Sequence, residues 1–155
     1  MSIGIIEGQS KNKFSLLHVK ISSLAKNLEK LEELLAGITT LPDIIAITET
    51  RSKISMNFGF RLQGYSIEYH DSLTNAGGVA LFVKDGLAYR VVKFMVDTPG
   101  CENLWLQLDT NNSNTFVIGV VYRHPNSNYE DFQDKLDVTI ARLSATSSKY
   151  YICGD

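Results

Sequence analysis

The stretch DIIAITET, residues 43–50, constrains this chain more than any other. Ile44, Ile45, Ala46 and Ile47 form a short continuous apolar run, bounded by Pro42 and by the polar Thr48, Glu49 and Thr50. A run of that length, rich in β-branched residues, predicts a strand covered on both faces. Buried strands of α/β sheets commonly deliver a functional acid at the C-terminal edge, and Glu49 stands there. The same local pattern is also that of a solvated loop acid.

The flanking segments supply the strand's neighbours. Residues 14–20 (FSLLHVK) read as a strand. Ser22 or Ser23 then caps a helix whose Leu24, Leu28, Leu31 and Leu35 recur at helical spacing, with Gly37 as its stop. Burying each leucine stabilises by about 1.5–3 kcal/mol, which explains the stripe without a partner helix. Strand, amphipathic helix, strand predicts neighbouring parallel strands. Residues 51–63 read as loop. Strands follow at 64–70, 77–83, 88–94, 103–109 and 115–122, joined by short turns such as Asp85-Gly86, which predicts an antiparallel meander. Gly77-Gly78 reads as a strand-entry turn. Tyr129, Phe132, Leu136, Ile140 and Leu143 outline a second helix, and residues 149–153 begin a last strand. Residues 1–13 read as an irregular leader, and 14–155 as one partial domain.

Bulk properties exclude several classes. A net charge of −2 gives no global basic field for non-specific nucleic-acid binding. Cys101 and Cys153 fit neither a disulfide framework nor a zinc site and suit a reducing, intracellular compartment, Cys153 as a core residue. No apolar run approaches the roughly 20 residues of a membrane span, and the first residues are not a signal peptide. Asn111-Asn112-Ser113 matches the glycosylation sequon and is read as turn chemistry.

Glu49, Tyr122 and Asp155 each fall at the end of a predicted buried strand. If those strands are neighbours, two carboxylates and a phenol converge at one rim. Such a set suits a hard divalent cation, which polarises a phosphoryl oxygen. No Gly-rich nucleotide loop and no G-x-S-x-G elbow is present.

Together the stretches FSLLHVKISSL, LEELL with DIIAITET, GYSIEYHD, GGVALFVKDGL, ENLWLQL, FVIGVVYRHPN and YYICGD resemble the endonuclease/exonuclease/phosphatase superfamily. Within it they resemble the apurinic-like endonuclease of non-LTR (LINE-type) retrotransposons, in the family's own order. The resemblance implies an α/β fold, the N-terminal portion of a four-layer sandwich with two facing sheets and helices outside. It implies Mg²⁺- (or Mn²⁺-) dependent cleavage of DNA phosphodiesters, nicking a target before reverse transcription. DNA is then the partner, a reverse transcriptase is fused in the full-length protein, and the place of action is the nucleus. Residue by residue, Glu49 resembles the metal-ligating glutamate and Tyr122 the tyrosine that hydrogen-bonds near the scissile phosphate. Asp155 resembles the aspartate of the Gly-Asp-Phe-Asn motif, which orients or deprotonates the attacking water. Arg123, His124 and Asn126 follow the tyrosine in the family's loop; Asn126 either positions phosphate or serves the turn. His18 and His70 are read as structural.

Two departures qualify the resemblance. Lys20 stands where the family pattern carries an asparagine, and Ser22 replaces the usual arginine. An ammonium beside Glu49 would pair with it and compete with Mg²⁺; the alternative is a Lys20 that snorkels outward. The chain also stops at Asp155, ahead of the family's Ser-Asp-His motif. The expectation is therefore an inactive chain with its second sheet largely lacking and an apolar face exposed. A degenerate, non-catalytic interaction module is the competing reading. A phosphoinositide or sphingolipid phosphodiesterase is a third, which DIIAITET and GVVYRHP fit less well.

Overall fold

A computed structural model describes residues 2–7, 14–53, 60–72, 74–109, 115–146 and 149–155. The apolar run of DIIAITET becomes β3 (Ile44–Thr48), buried at every position. It pairs in parallel with β2 (Ser15–Lys20), and α1 (Leu24–Ala36) makes the crossover. Asp43 pins the start of this pair, because its Oδ2 accepts from the backbone N–H and the hydroxyl of Ser15. On its other side β3 pairs antiparallel with β5 (Val79–Lys84), which forms a hairpin with β4 (Tyr65–His70).

The outer edge of β2 is covered by β1 (Ser2–Glu7), running antiparallel. The leader expected over residues 1–13 is thus a strand at 2–7. Its signal is weak, with Gly4 in the middle, and the open edge of β2 supplies the pairing that local propensity does not. Residues 1 and 8–13 lie outside the described set. The first sheet has the order β1-β2-β3-β5-β4.

A second sheet contains β6 (Tyr89–Val92), β7 (Cys101–Asp109), β8 (Thr115–Arg123) and β9 (Tyr150–Gly154), in that order. β8 and β9 are parallel, with α2 (Tyr129–Thr146) between them in the chain. Two expectations are corrected here. The meander does not stay in one sheet: β4 and β5 complete the first, and β6–β8 continue it in the second, beside β9. The reason is β5, whose VALFV is buried throughout and needs cover on both faces. Nor is the second sheet largely lacking, since its four strands cover the inner face of the first.

Strand alternation sorts the core into layers. Even positions of β3, β7 and β8 (Ile44, Ala46, Leu104, Leu106, Ile118, Val120) join odd positions of β5 (Val79, Leu81, Val83) between the sheets. Ile45, Ile47, Ala80 and Phe82 face the other way, onto Leu24, Leu31 and Leu35 of α1. Trp105, Val117 and Val121 form the outer face of the second sheet, against Leu143 of α2. The sequence of layers is helix, sheet, sheet, helix, as expected from the resemblance.

Helix ends depart from expectation. Ser23 stands at the N-cap of α1 with no side-chain cap bond. Instead Asn27 Nδ2 donates to the carbonyls of Ile21, Ser22 and Ser23. Gly37 does end the helix, in a right-handed conformation. Asn128 caps α2, its Oδ1 accepting from the N–H groups of Glu130 and Asp131. Tyr129, assigned to the apolar stripe, is exposed, and the Arg123 guanidinium lies over its ring.

Gly119 faces the Trp105 ring so closely that an added Cβ would sit 2.1 Å from it. Gly119→Ala is expected to destabilise by about 1–3 kcal/mol or more, read from a urea midpoint, because the indole is fully buried and has no room to move.

Candidate active site

The rim beyond β3 is built from strained backbone. Among the described residues, the non-glycine positions with positive φ are Ser22, Ser23, Glu49 and Arg51. All lie where the β2–β3 ladder runs out, joined by bonds from Ser23 N–H to Glu49 O and Leu24 N–H to Thr50 O. Such conformations cost an L-residue roughly 1–2 kcal/mol each and gather where function over-determines the backbone. Their effect is to turn the Glu49 side chain off the strand direction and into the rim.

Glu49 is buried with both oxygens engaged. Oε1 accepts from Lys20 Nζ at 2.9 Å. Oε2 accepts from the Arg51 guanidinium and from the Ser22 hydroxyl, the latter at 3.3 Å. Lys20 Nζ also meets Asp155 Oδ2 at 2.5 Å. Asp155 reaches this point because the β8–β9 ladder continues past Gly154: its N–H donates to Val121 O, and its carbonyl accepts from Arg123 N–H. Lys20 therefore ties the two sheets together. The outward-snorkelling alternative for Lys20 does not hold, and the expected pairing with Glu49 does.

Tyr122 is buried at the edge of the inter-sheet core, its ring against His124 at 5.0 Å between centroids. Burial, then the negative charge of Glu49, push its phenol above the usual value, so it stays protonated and can donate. For Glu49, burial would raise the pKa, but the bonds from Lys20 and Arg51 outweigh it and hold the carboxyl below 4.5. The bonds to Asp155, then Glu49, raise Lys20 and keep its ammonium charged.

Glu49, Tyr122 and Asp155 thus converge, though not on neighbouring strands of one sheet as expected. They arrive from two facing sheets. Arg123 and Asn126 are not drawn into this cluster. The Arg123 guanidinium braces its own loop, donating to the carbonyls of His124 and Ser127. Asn126 is exposed in the turn before α2. His18 bonds Thr48 Oγ1 and His70 donates to Asn103 O, both structural roles.

A second polar group was not legible in the sequence. Glu102 is buried, its Oε1 2.9 Å from both His124 Nε2 and the Ser72 hydroxyl. Its Oε2 has no partner. Gly77 packs on this group: an added Cβ would lie 2.8 Å from Tyr122 and 2.9 Å from both Glu102 Oε2 and His124 Nε2. At Gly78 the Cβ would lie 2.2 Å from Thr50 Oγ1. Both glycines have positive φ, so the strand-entry turn is also a close contact with the rim. Glu102 sits one residue before the predicted strand, and only the long-range approach of the 71–78 turn reveals its use. Arg51, two residues after Glu49, carried a signal that its placement in a loop obscured.

The two carboxylates meet two cations of the chain itself, and no group of three or more His, Cys, Asp or Glu side chains suited to a metal occurs among the described residues. As arranged, these residues do not fit a metal ion. Both cysteines are free; burial pushes Cys153 up to about 12 and, with the nearby Glu102, Cys101 up to about 11. No helix among the described residues is long and apolar enough to cross a membrane.

Residues 13–155 match the profile described as "Endonuclease/Exonuclease/phosphatase family". No curated protein is matched by the sequence. Among solved structures, the chain is similar to the human Nocturnin catalytic domain with bound sulfate, with 17% identity, a TM-score of 0.62, and coverage of 99% of this chain and 66% of that one. It is similar to D. rerio TDP2 complexed with single-strand DNA product, with 15% identity, a TM-score of 0.67, and 94% and 61% coverage. It is also similar to an AP endonuclease from Archaeoglobus fulgidus, with 18% identity, a TM-score of 0.60, and 92% and 56% coverage. The chain therefore spans between 56% and 66% of the length of these structures.

Because Glu49 is held ionised by its partners, it contributes stability that is present above pH 4.5 and lost as pH falls through its lowered value. An acid titration of wild type followed by circular dichroism is expected to show that loss. In Glu49→Gln the corresponding acid-dependent component is expected to be absent.

Proposed function

The chain belongs to the endonuclease/exonuclease/phosphatase family, and from that premise we propose that it is part of a retrotransposon-type endonuclease domain that hydrolyses DNA phosphodiester bonds. The observation that carries the reading is the convergence at one rim, from two sheets, of Glu49 and Asp155, joined by Lys20, with Tyr122 close enough to feel their charges. A phosphodiester is anionic, and Lys20 and Arg51 are the rim's cations. An incoming phosphate competes with the carboxylates for those cations and so releases Glu49 and Asp155. Tyr122, kept protonated, donates to a phosphoryl oxygen. Asp155, once free of Lys20, accepts a proton from a water that attacks phosphorus, the P–O bond opposite the water breaks, and the leaving sugar oxygen takes a proton from solvent. Arg51 stays close enough to offset charge that develops on phosphorus-bound oxygen. The family's enzymes generally use a divalent ion; no step here is routed through one. Action on DNA places the protein in the nucleus, and target nicking fits a fused reverse transcriptase in a longer polypeptide.

A second reading, a non-catalytic interaction module, is favoured by one observation. The carboxylates that should be available for chemistry are neutralised by Lys20 and Arg51.

The test is nicking of supercoiled plasmid by a chain extended through the Ser-Asp-His motif, with Mg²⁺ or Mn²⁺ present. Nicking is expected, with Glu49→Gln lowering it by about 10²–10⁴-fold. Unchanged activity in that variant would sink the proposal, and plasmid binding without nicking would select the module. A separate expectation concerns Tyr122→Phe, which is to lose roughly 10²-fold or more in rate while duplex affinity by filter binding stays near wild type.

A further inference from the structure

We infer that Lys20 is a tethered counter-cation occupying the place of a divalent ion between Glu49 and Asp155, so that the wild-type rim takes up Mg²⁺ or Mn²⁺ only weakly. The inference deepens the reading above and rests on it in one respect, that the expected occupant of this rim is a divalent cation.

The geometry carries it. Lys20 Nζ bridges one oxygen of each carboxylate, 2.9 Å from Glu49 Oε1 and 2.5 Å from Asp155 Oδ2. A hard cation shared by the same two oxygens would need that gap. The second oxygen of Glu49 offers no substitute, because Arg51 and Ser22 hold it. Charge points the same way: two carboxylates face two cations, so a divalent ion entering beside them would add two uncompensated positive charges in a partly buried rim. Backbone freedom gives no easy escape, since Lys20 is fixed opposite Thr48 in the β2–β3 register. The group best able to draw Lys20 away is therefore an anion, which makes substrate phosphate, and not metal, the first ligand of the rim.

The experiment measures metal uptake, not cleavage. Mn²⁺ binding by electron paramagnetic resonance and Mg²⁺ binding by calorimetry are compared in the whole chain for wild type, Lys20→Asn and Lys20→Met. Both variants are expected to bind at least about tenfold more tightly than wild type. Asn brings an oxygen and Met does not, so a gain in Lys20→Met assigns the effect to the removed charge. Adding Glu49→Gln to Lys20→Met is expected to abolish the gain, which locates it at this rim. In EDTA the variants should melt below wild type and recover with Mg²⁺, whereas the wild-type melting temperature should not respond to millimolar Mg²⁺. Wild-type binding as tight as that of either variant, or a wild-type melting temperature that climbs with Mg²⁺, overturns the inference. The wild-type arm decides alone if the variants do not fold. A protein that follows this metal pattern yet never nicks DNA overturns the proposed function and leaves this inference standing.

Discussion

The apolar interface between the two sheets is the constraint on which everything else depends. Ile44, Ala46, Val79, Leu81 and Val83 on one side meet Leu104, Leu106, Ile118 and Val120 on the other. Each valine, leucine or isoleucine buried there is worth about 1.5–3 kcal/mol against exposure, and together they fix the distance and angle between the sheets. The rim exists because this interface ends. Glu49 follows Thr48 where β3 ends, Tyr122 is the last inward-facing position of β8, and Asp155 follows where β9 gives out. Polar side chains that no single sheet could bring together meet because their strands are packed face to face.

The rim differs from the core below it in how its energy is distributed. The core is satisfied by area, with no orientation to defend. The rim holds strained φ angles at Ser22, Ser23, Glu49 and Arg51, an unpartnered Glu102 Oε2 and an unpartnered Thr50 Oγ1. Glycines at 77 and 78 let the chain press against these groups where any side chain would collide. The interface beneath over-determines this arrangement, which is how a local cost persists. Lys20 is the cation that reaches both sheets. In bridging Glu49 and Asp155 it couples the two sheets and, with Arg51, balances the two carboxylate charges.

Much of this was legible. The β-branched run of 44–47 marked a strand buried on both faces, and the leucine spacing of 24–35 marked a helix laid across it. The order of short motifs marked the family. The charge conflict at Lys20 could be stated from one substitution. What was not legible shares a cause. The short segment of β1, interrupted by Gly4, gives little periodic signal by itself, and its pairing partner is the edge of β2. A run of alternating strands predicts a meander but does not say where the chain crosses to a second layer. Glu102 and His124 are 22 residues apart and meet only because β7 and β8 are paired in register.

The sequence by itself determined the elements, their amphipathic faces, and which residue types stand at strand ends, because periodicity and propensity act over a few residues. Only the tertiary structure decided which ends face one another. It brought Lys20 to Asp155 across 135 positions, turned Ser22 from helix cap to partner of Glu49, and set Arg123 to brace its loop, away from the site. Those outcomes follow from the long-range packing of two apolar sheet faces, which no local pattern encodes.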